Sequence, residues 1–88
     1  SVALSAQTAT VTGRVADTTG AVVPGTKISV INIATGAERI VSANEVGYYT
    51  VPLLPPGEYR IVVEQPGFKS INRTGIILQV DQRAEINF

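Results

Sequence analysis

The sequence lacks the residue types on which most catalytic and metal sites depend. Its 88 residues include no cysteine and no histidine, and methionine and tryptophan are absent as well. Neither a Ser-His-Asp nor a Cys-His nucleophile can be assembled, and disulfides, thiolate sites and histidine zinc sites are excluded. The aspartates, Asp17 and Asp81, each stand beside a turn, which disfavours a cluster of oxygen ligands. We therefore expect a non-catalytic domain without a metal or cofactor.

The chain also lacks an excess of positive or of negative charge. Seven Lys and Arg balance seven Asp and Glu, and charged residues make up only 16% of the chain. Without a net charge or a basic cluster, the chain has no field that would draw it to nucleic acid or anionic lipid. No run of 18 apolar residues occurs, so we expect no direct membrane insertion. The hydrophobic fraction of 44% argues against disorder and predicts a folded domain.

A helical pattern of apolar residues is not found in any window. Instead, eight glycines recur about every ten residues, and Thr, Val and Ile dominate between them. Short strands with turn signals at this spacing predict an all-β fold, namely a seven- to eight-stranded, mostly antiparallel β-sandwich without a helix. The expected strands cover residues 9–17, 26–33, 37–44, 48–52, 58–64, 68–72, 76–80 and 84–88.

Apolar alternation predicts which side chains face the core. In the first strand Val11 and Val15 share one face, and in the fifth strand Tyr59, Ile61 and Val63 share another. Residues 53–57 contain two prolines, which lack the N–H that a central strand needs, so this segment is predicted to be a crossover. The same reasoning places further residues inward: Ile28, Val30, Tyr49, Val51 and Leu54.

The first seven residues differ in composition from the rest of the chain. Residues 1–7 read S-V-A-L-S-A-Q, and small residues at this point are typical of the end of a secretory signal peptide. The alternative is a flexible N-terminal arm. Residues 8–88 are predicted to form one domain, because the strand pattern begins directly after residue 7.

Three segments carry a resemblance to a known family. They read V-T-G-R-V-A-D-T-T-G-A-V-V-P-G-T-K-I-S-V, N-E-V-G-Y-Y-T-V and L-L-P-P-G-E-Y-R-I-V-V-E-Q-P-G-F. This pattern resembles the carboxypeptidase regulatory-like domain family, whose prealbumin-like (transthyretin-like) sandwiches are related in shape to Cna B-type domains. The A-V-V-P-G connector is similar to that of the N-terminal extension of Oar-like TonB-dependent outer-membrane receptors. The residues at signature positions of the family are Gly47, Tyr49, Leu54, Pro56, Gly57 and Tyr59.

The resemblance implies an accessory or interaction module and not an enzyme. It implies a place in the bacterial periplasm or outer membrane, with the remainder of a larger receptor as the partner, bound through a sheet face or edge. A carbohydrate-binding accessory module is the alternative. Transthyretin-like hydrolases use histidine, which this chain lacks. The cross-link of Cna B-type domains needs a lysine on the first strand, whereas Lys27 and Lys69 lie elsewhere.

Several apolar residues fall in the outward phase of their strands. Scattered exposed apolar residues need no function. If several gather on one sheet face, they would form a docking surface for a neighbouring domain or for a second copy of the chain. Tyr48 is out of phase with Tyr49, so its ring is predicted to be exposed and able to stack on a sugar. The outward apolar residues are Ile31, Ile33, Val41, Leu53, Val62 and one of Ile76 and Ile77.

Overall fold

Seven strands in two sheets make up the computed structural model, which describes residues 8–17, 19–21, 23, 25–65 and 70–88. The expected residues 1–7 arm and the start of the expected 68–72 strand lie outside these described residues. Within them, no helix is long and apolar enough to cross a membrane. The strands are β1 (Ala9–Arg14), β2 (Lys27–Asn32), β3 (Glu38–Ser42), β4 (Tyr48–Leu54), β5 (Gly57–Glu64), β6 (Ile71–Leu78) and β7 (Arg83–Glu85).

The strands divide into a four-stranded and a three-stranded sheet. The larger sheet has the order β3-β2-β5-β6, and every neighbouring pair in it is antiparallel. The smaller sheet has the order β4-β1-β7, in which β1 pairs antiparallel with β4 and parallel with β7. Beyond β7 the chain stays bonded to β1, because Ile86 N–H donates to Thr12 O at 2.8 Å and Phe88 N–H donates to Arg14 O at 2.9 Å. The predicted all-β sandwich is confirmed.

The core lies between the two sheets, and the predicted inward residues fill it. Alternate residues of β1 and β5 are buried, as the sequence alternation requires. Each fully buried aliphatic side chain contributes about 1.5–3 kcal/mol relative to its exposed state, so these positions supply most of the stability. The buried side chains of the core include Val11, Val15, Ile28, Val30, Tyr49, Val51, Leu54, Tyr59, Ile61, Val63 and Leu78.

The region after β5 differs from the sequence prediction. Two strands were expected at 68–72 and 76–80, but β6 runs without a break through the described residues from Ile71 to Leu78. Its register against β5 shifts between Tyr59 and Ile61, which accommodates one extra β6 residue next to Gly75. Because Gly75 has a φ of 74°, it bends the strand without ending it. The prediction of two separate strands here is wrong.

Side-chain oxygens of Asp17 and Asn44 hold two of the turns. Asp17 and Asn44 each accept hydrogen bonds from the N–H groups two and four residues further on, at distances between 2.9 and 3.1 Å. The hydrogen bonds from Thr19 hold the pKa of the Asp17 carboxyl below its usual value. The turns therefore have their own local stabilisation, which is the reason that Asx residues favour them.

Gly13 provides the space in which an aromatic side chain crosses the central strand of the smaller sheet. It pairs with Tyr49 on β4, and the hydroxyl of Tyr49 donates a hydrogen bond of 2.6 Å to Ile86 O on the other side of β1. A Cβ at position 13 would overlap the Ile86 carbonyl oxygen and would come within 2.8 Å of Tyr49 Cε1. Only glycine leaves room for this crossing.

We expect Gly13→Ala to lower the free energy of unfolding by about 3 kcal/mol, since the added methyl group meets backbone that cannot move without breaking the β1 pairing. Urea denaturation of both proteins measures the change. Gly36→Ala is the matched control, because Gly36 has a φ of 75° and nothing within 4 Å, so only backbone strain of roughly 1–2 kcal/mol is expected. Equal losses in the two variants would contradict the steric explanation.

Candidate functional site

The outward side of the four-stranded sheet carries one prominent apolar residue from each strand. These are Ile31 on β2, Ile40 on β3, Val62 on β5 and Ile77 on β6, and we call this set the apolar outer face. Ser29 pairs with both Ile40 and Val62 and is only 3% exposed, so the larger neighbours cover it. Ile40 and Ile77 are themselves more than half exposed. Ile40, Ile31 and Val62 adjoin one another around Ser29, whereas Ile77 is separated from them by Arg60 and Glu58 of β5.

Three of the predicted surface residues map to this region. Ile31 and Val62 belong to the apolar outer face and are half-buried there. Ile33 follows β2 directly, is exposed, and is held by a 3.0 Å hydrogen bond from its N–H to Glu58 O. The register therefore brings these three residues to the same side of the larger sheet.

Val41 does not belong to this surface, and its predicted outward orientation is wrong. It pairs with Ile28, which is completely buried, and it packs against the core. Its neighbour Ile40 points outward instead. The sequence offers two adjacent apolar residues at this point, and the register of β3 on β2 decides which of them faces the core.

Tyr48 and Leu53 lie on β4 of the smaller sheet, near its opposite ends. Leu53 is 63% exposed and has a φ of 59°, an unusual backbone conformation for a large side chain. Arg39 bridges the two sheets here, because its Nη1 and Nη2 donate to the carbonyl oxygens of Pro52 and Leu53 at 2.9 and 3.0 Å. The predicted surface residues thus divide between two sheets and do not form one patch.

Tyr48 borders a groove of about 240 Å³. Its ring is 53% exposed, and Arg14, Glu85 and Asn87 supply a cation, a carboxylate and an amide to the walls. Asn87 is oriented by its Oδ1, which accepts a 2.9 Å hydrogen bond from Arg14 N–H. An exposed aromatic ring beside polar groups of both donor and acceptor type is the combination that can stack on a sugar and bond its hydroxyls.

An aromatic cluster supports this groove from below. The Arg73 guanidinium lies 4.5 Å from the centre of the Phe88 ring, and the Phe88 and Tyr49 rings lie 6.4 Å apart. Burial raises the pKa of Tyr49 to about 12, opposed by the positive charge of Arg73. The cluster positions Phe88, which together with Asn87 lines the groove.

The described residues include no arrangement of side chains that would support a covalent cross-link or a metal site. Lys27 Nζ lies 3.8 Å from Glu64 Oε1. Because both side chains are about half exposed, the Lys27 amine is solvated and is not a buried nucleophile. Lys69 lies outside the residues that the structure describes. No group of three or more acidic side chains is placed to hold a metal ion in the described ranges.

The fold and its surfaces define a β-sandwich domain with a groove and an apolar sheet face as its candidate sites. The chain belongs to the carboxypeptidase regulatory-like domain family, whose family model matches residues 10–88. The resemblance predicted from the sequence is confirmed. A search of curated proteins finds no match.

Solved structures with the same sandwich come from several bacteria. A candidate carbohydrate-binding protein of Bacteroides uniformis aligns with 91% of this chain and 40% of its own, at 19% identity and a TM-score of 0.72. The TIE protein of Bacillus anthracis aligns with 91% of this chain and 16% of its own, at 17% identity and a TM-score of 0.74. A candidate carbohydrate-binding protein of Pseudomonas aeruginosa aligns over 94% and 88%, at 14% identity and a TM-score of 0.62. The chain thus spans less than half the length of the first two, and these likenesses concern the fold.

We expect Tyr49→Phe to lower the free energy of unfolding by about 1 kcal/mol at neutral pH, since Ile86 O loses its 2.6 Å partner. The raised pKa of Tyr49 adds a pH dependence. A tyrosine that is kept neutral by folding contributes stability below its unfolded pKa near 10, and this contribution is lost as pH rises through the folded value of about 12.

The stability advantage of wild type over Tyr49→Phe should therefore fall between pH 10 and pH 12 and change sign, as measured by urea denaturation at each pH. The reason is that a pKa raised from 10.0 to about 12 corresponds to about 2.7 kcal/mol, more than the hydrogen bond contributes. Tyr48→Phe is the control, and at its exposed position the change should stay within about 0.5 kcal/mol. A difference that stays constant across this pH range would contradict the role assigned to the Tyr49 hydroxyl.

Proposed function

We propose that this domain is a non-catalytic accessory module of a larger bacterial envelope protein and that it binds another part of that protein through the apolar outer face. The observation that carries this proposal is the cluster of Ile40, Ile31 and Val62 around Ser29 on the outward side of the larger sheet. Ile77 adds a further apolar side chain on the same side, and Ile40 and Ile77 are more than half exposed. Apolar side chains that gather on the outward side of a sheet are typical of an interaction site.

Charged residues border the apolar cluster of Ile40, Ile31 and Val62 and separate it from Ile77. Glu38 and Arg60 pair with Ile31 from either side, and Glu58 pairs with Ile77. Protein interfaces commonly combine an apolar centre with a polar rim that remains solvated. The lengths of two structural neighbours also fit this proposal, because in both of them the matching sandwich is less than half of the chain.

The envelope protein that fits best is a TonB-dependent outer-membrane receptor, with this domain in the periplasm at its N-terminal side. The support for this placement is the sequence similarity of the A-V-V-P-G connector, together with the signal-like composition of residues 1–7. The partner is then the remainder of the same receptor, and the contact is non-covalent. Self-association through the same face is the competing outcome.

A binding assay with charge-bearing variants tests the apolar outer face. The tagged domain is used to capture the remainder of its full-length protein, with Ile40→Lys and Ile77→Lys as the test variants. Each should weaken capture by about tenfold or more, because a buried unpaired charge costs more than about 1.4 kcal/mol. Val46→Lys is the matched control, since Val46 is 56% exposed and lies on the β3–β4 turn away from this face.

Unchanged capture by both test variants, or an equal loss with Val46→Lys, would show that another surface is used. Size-exclusion chromatography of the same proteins identifies self-association, which the two test variants should abolish if a second copy is the partner. The TonB-dependent context is tested separately by the sequence beyond residue 88 in the gene product, where a plug and barrel are expected.

Carbohydrate binding at the Tyr48 groove is a second candidate, favoured by the exposed ring beside Arg14, Glu85 and Asn87. Two of the structural neighbours are themselves candidate carbohydrate-binding proteins. The groove and the apolar outer face belong to different sheets, so both functions can coexist.

A glycan array distinguishes this candidate from the first. Tyr48→Ala should abolish glycan binding, whereas Tyr48→Phe should retain most of it because the stacking ring is kept. Ile40→Lys should leave glycan binding unchanged. If the wild type binds no glycan, or if Tyr48→Ala binds as well as wild type, the groove is not a sugar site.

A further inference from the structure

A second cavity, of about 320 Å³, opens at the other end of the sandwich from the Tyr48 groove. Tyr48 and Leu54 begin and end β4, which separates the two sites by roughly 20 Å. The floor of the cavity consists of the core residues Val30, Leu54 and Tyr59, and its sides are the β2–β3 turn and residues 55–57. A mostly apolar cavity of this size, with a few polar groups, matches the lower end of the range for small-molecule sites, about 300–1,000 Å³.

Asn32 presents a hydrogen-bond donor to this cavity. Its Oδ1 accepts from the N–H groups of Ala34 and Thr35 at 2.9 and 3.1 Å, which assigns the oxygen and fixes the orientation of the amide. Nδ2 then lies on the cavity side, 3.8 Å from where a Cβ on Gly57 would stand. Asn32 is only 8% exposed, and no described residue accepts a hydrogen bond from Nδ2. Nδ2 is not fully buried, so it is free to donate a hydrogen bond to a ligand in the cavity.

Arg39 brings an uncompensated positive charge to the same cavity. Its guanidinium is anchored by two neutral carbonyl groups, Pro52 O and Leu53 O, which orient it without cancelling its charge. Among the described residues, one ion pair is formed, between Lys27 and Glu64. No carboxylate of these residues lies within ion-pair distance of Arg39. The remaining guanidinium N–H groups can donate further hydrogen bonds, and a carboxylate matches their planar geometry.

The side-chain oxygens around the cavity already take part in hydrogen bonds within the protein. Asn32 Oδ1 accepts two backbone hydrogen bonds, and Thr35 Oγ1 accepts one from Ala37 N–H at 3.2 Å. The Tyr59 hydroxyl donates its proton to Pro55 O at 2.6 Å. A ligand here therefore meets donors and one cation above an apolar floor. The cation favours a ligand that carries a negative charge over a neutral sugar.

We propose that this cavity is a binding site for a small organic carboxylate. The apolar body of the ligand lies on Val30, Leu54 and Tyr59, and its carboxylate accepts hydrogen bonds from Arg39 and Asn32 Nδ2. This site is independent of both the apolar outer face and the Tyr48 groove, because it shares no residue with either.

Titration with hexanoate, followed by two-dimensional amide NMR, tests this proposal. Hexanoate should shift the amide signals of residues 32–37 and 57 saturably, whereas 1-hexanol, which lacks the charge, and acetate, which lacks the tail, should bind at least about tenfold more weakly. Added salt should weaken hexanoate binding because it screens the guanidinium.

Two variants probe the charge and the space separately. Arg39→Gln should raise the dissociation constant of hexanoate about tenfold, and Ala37→Leu should block binding by filling the cavity while it keeps Arg39. Arg60→Gln is the control, because it removes an equal charge from the outer face and should leave binding unchanged. If Arg39→Gln disturbs the fold, the binding measured with Ala37→Leu tests the proposal. Absence of saturable hexanoate shifts, equal binding of 1-hexanol, or wild-type binding by the folded variants would overturn the proposal.

Discussion

The contact on which the rest of the smaller sheet depends is the passage of the Tyr49 ring over Gly13 to the Ile86 carbonyl. β1 is the central strand of that sheet, and this one side chain ties it to both neighbours through a pairing and a 2.6 Å hydrogen bond. The same C-terminal segment is bonded to β1 through Ile86 N–H and Phe88 N–H, and its residues Asn87 and Phe88 line the Tyr48 groove. The absence of a side chain at position 13 therefore shapes a surface several residues away, and the core and the groove are parts of one arrangement.

Most of the fold could be predicted from the sequence, because sheet faces follow a period of two and the turns follow Gly, Asp and Asn. The alternation of Tyr59, Ile61 and Val63 predicts burial without reference to any other strand, and the structure buries all three. The predictions were wrong where the orientation or the extent of a strand depends on the strand with which it pairs. Ile40 and Val41 are equivalent by local pattern, and only pairing with β2 separates them. Gly75 has the chemistry of a turn, yet pairing with β5 uses it within a strand.

The candidate sites likewise include features that the local sequence predicts and features that depend on distant residues. The exposure of Tyr48 was predictable, because it is the out-of-phase neighbour of a core tyrosine. Half of the residues of the apolar outer face could be predicted. Ile31 and Val62 were identified by their phase in the strand, whereas Val41 was predicted in place of Ile40. The Arg39 cavity had no sequence signal, since its polar groups come from a turn and a strand, and the carbonyls that orient Arg39 lie 13 and 14 residues further along the chain. Sequence spacing does not reveal a site that depends on such long-range contacts.

The parallel pairing of β1 with β7 has a mechanical consequence. Thr8 precedes β1 and Phe88 follows β7, so the two parallel strands place these residues at opposite ends of the sandwich. Tension applied between them would pull β1 and the C-terminal segment in opposite directions along their length. The hydrogen bonds that join Thr10 to Gln82, Thr12 to Ile86 and Arg14 to Phe88 then carry the load together in shear, and do not open one after another.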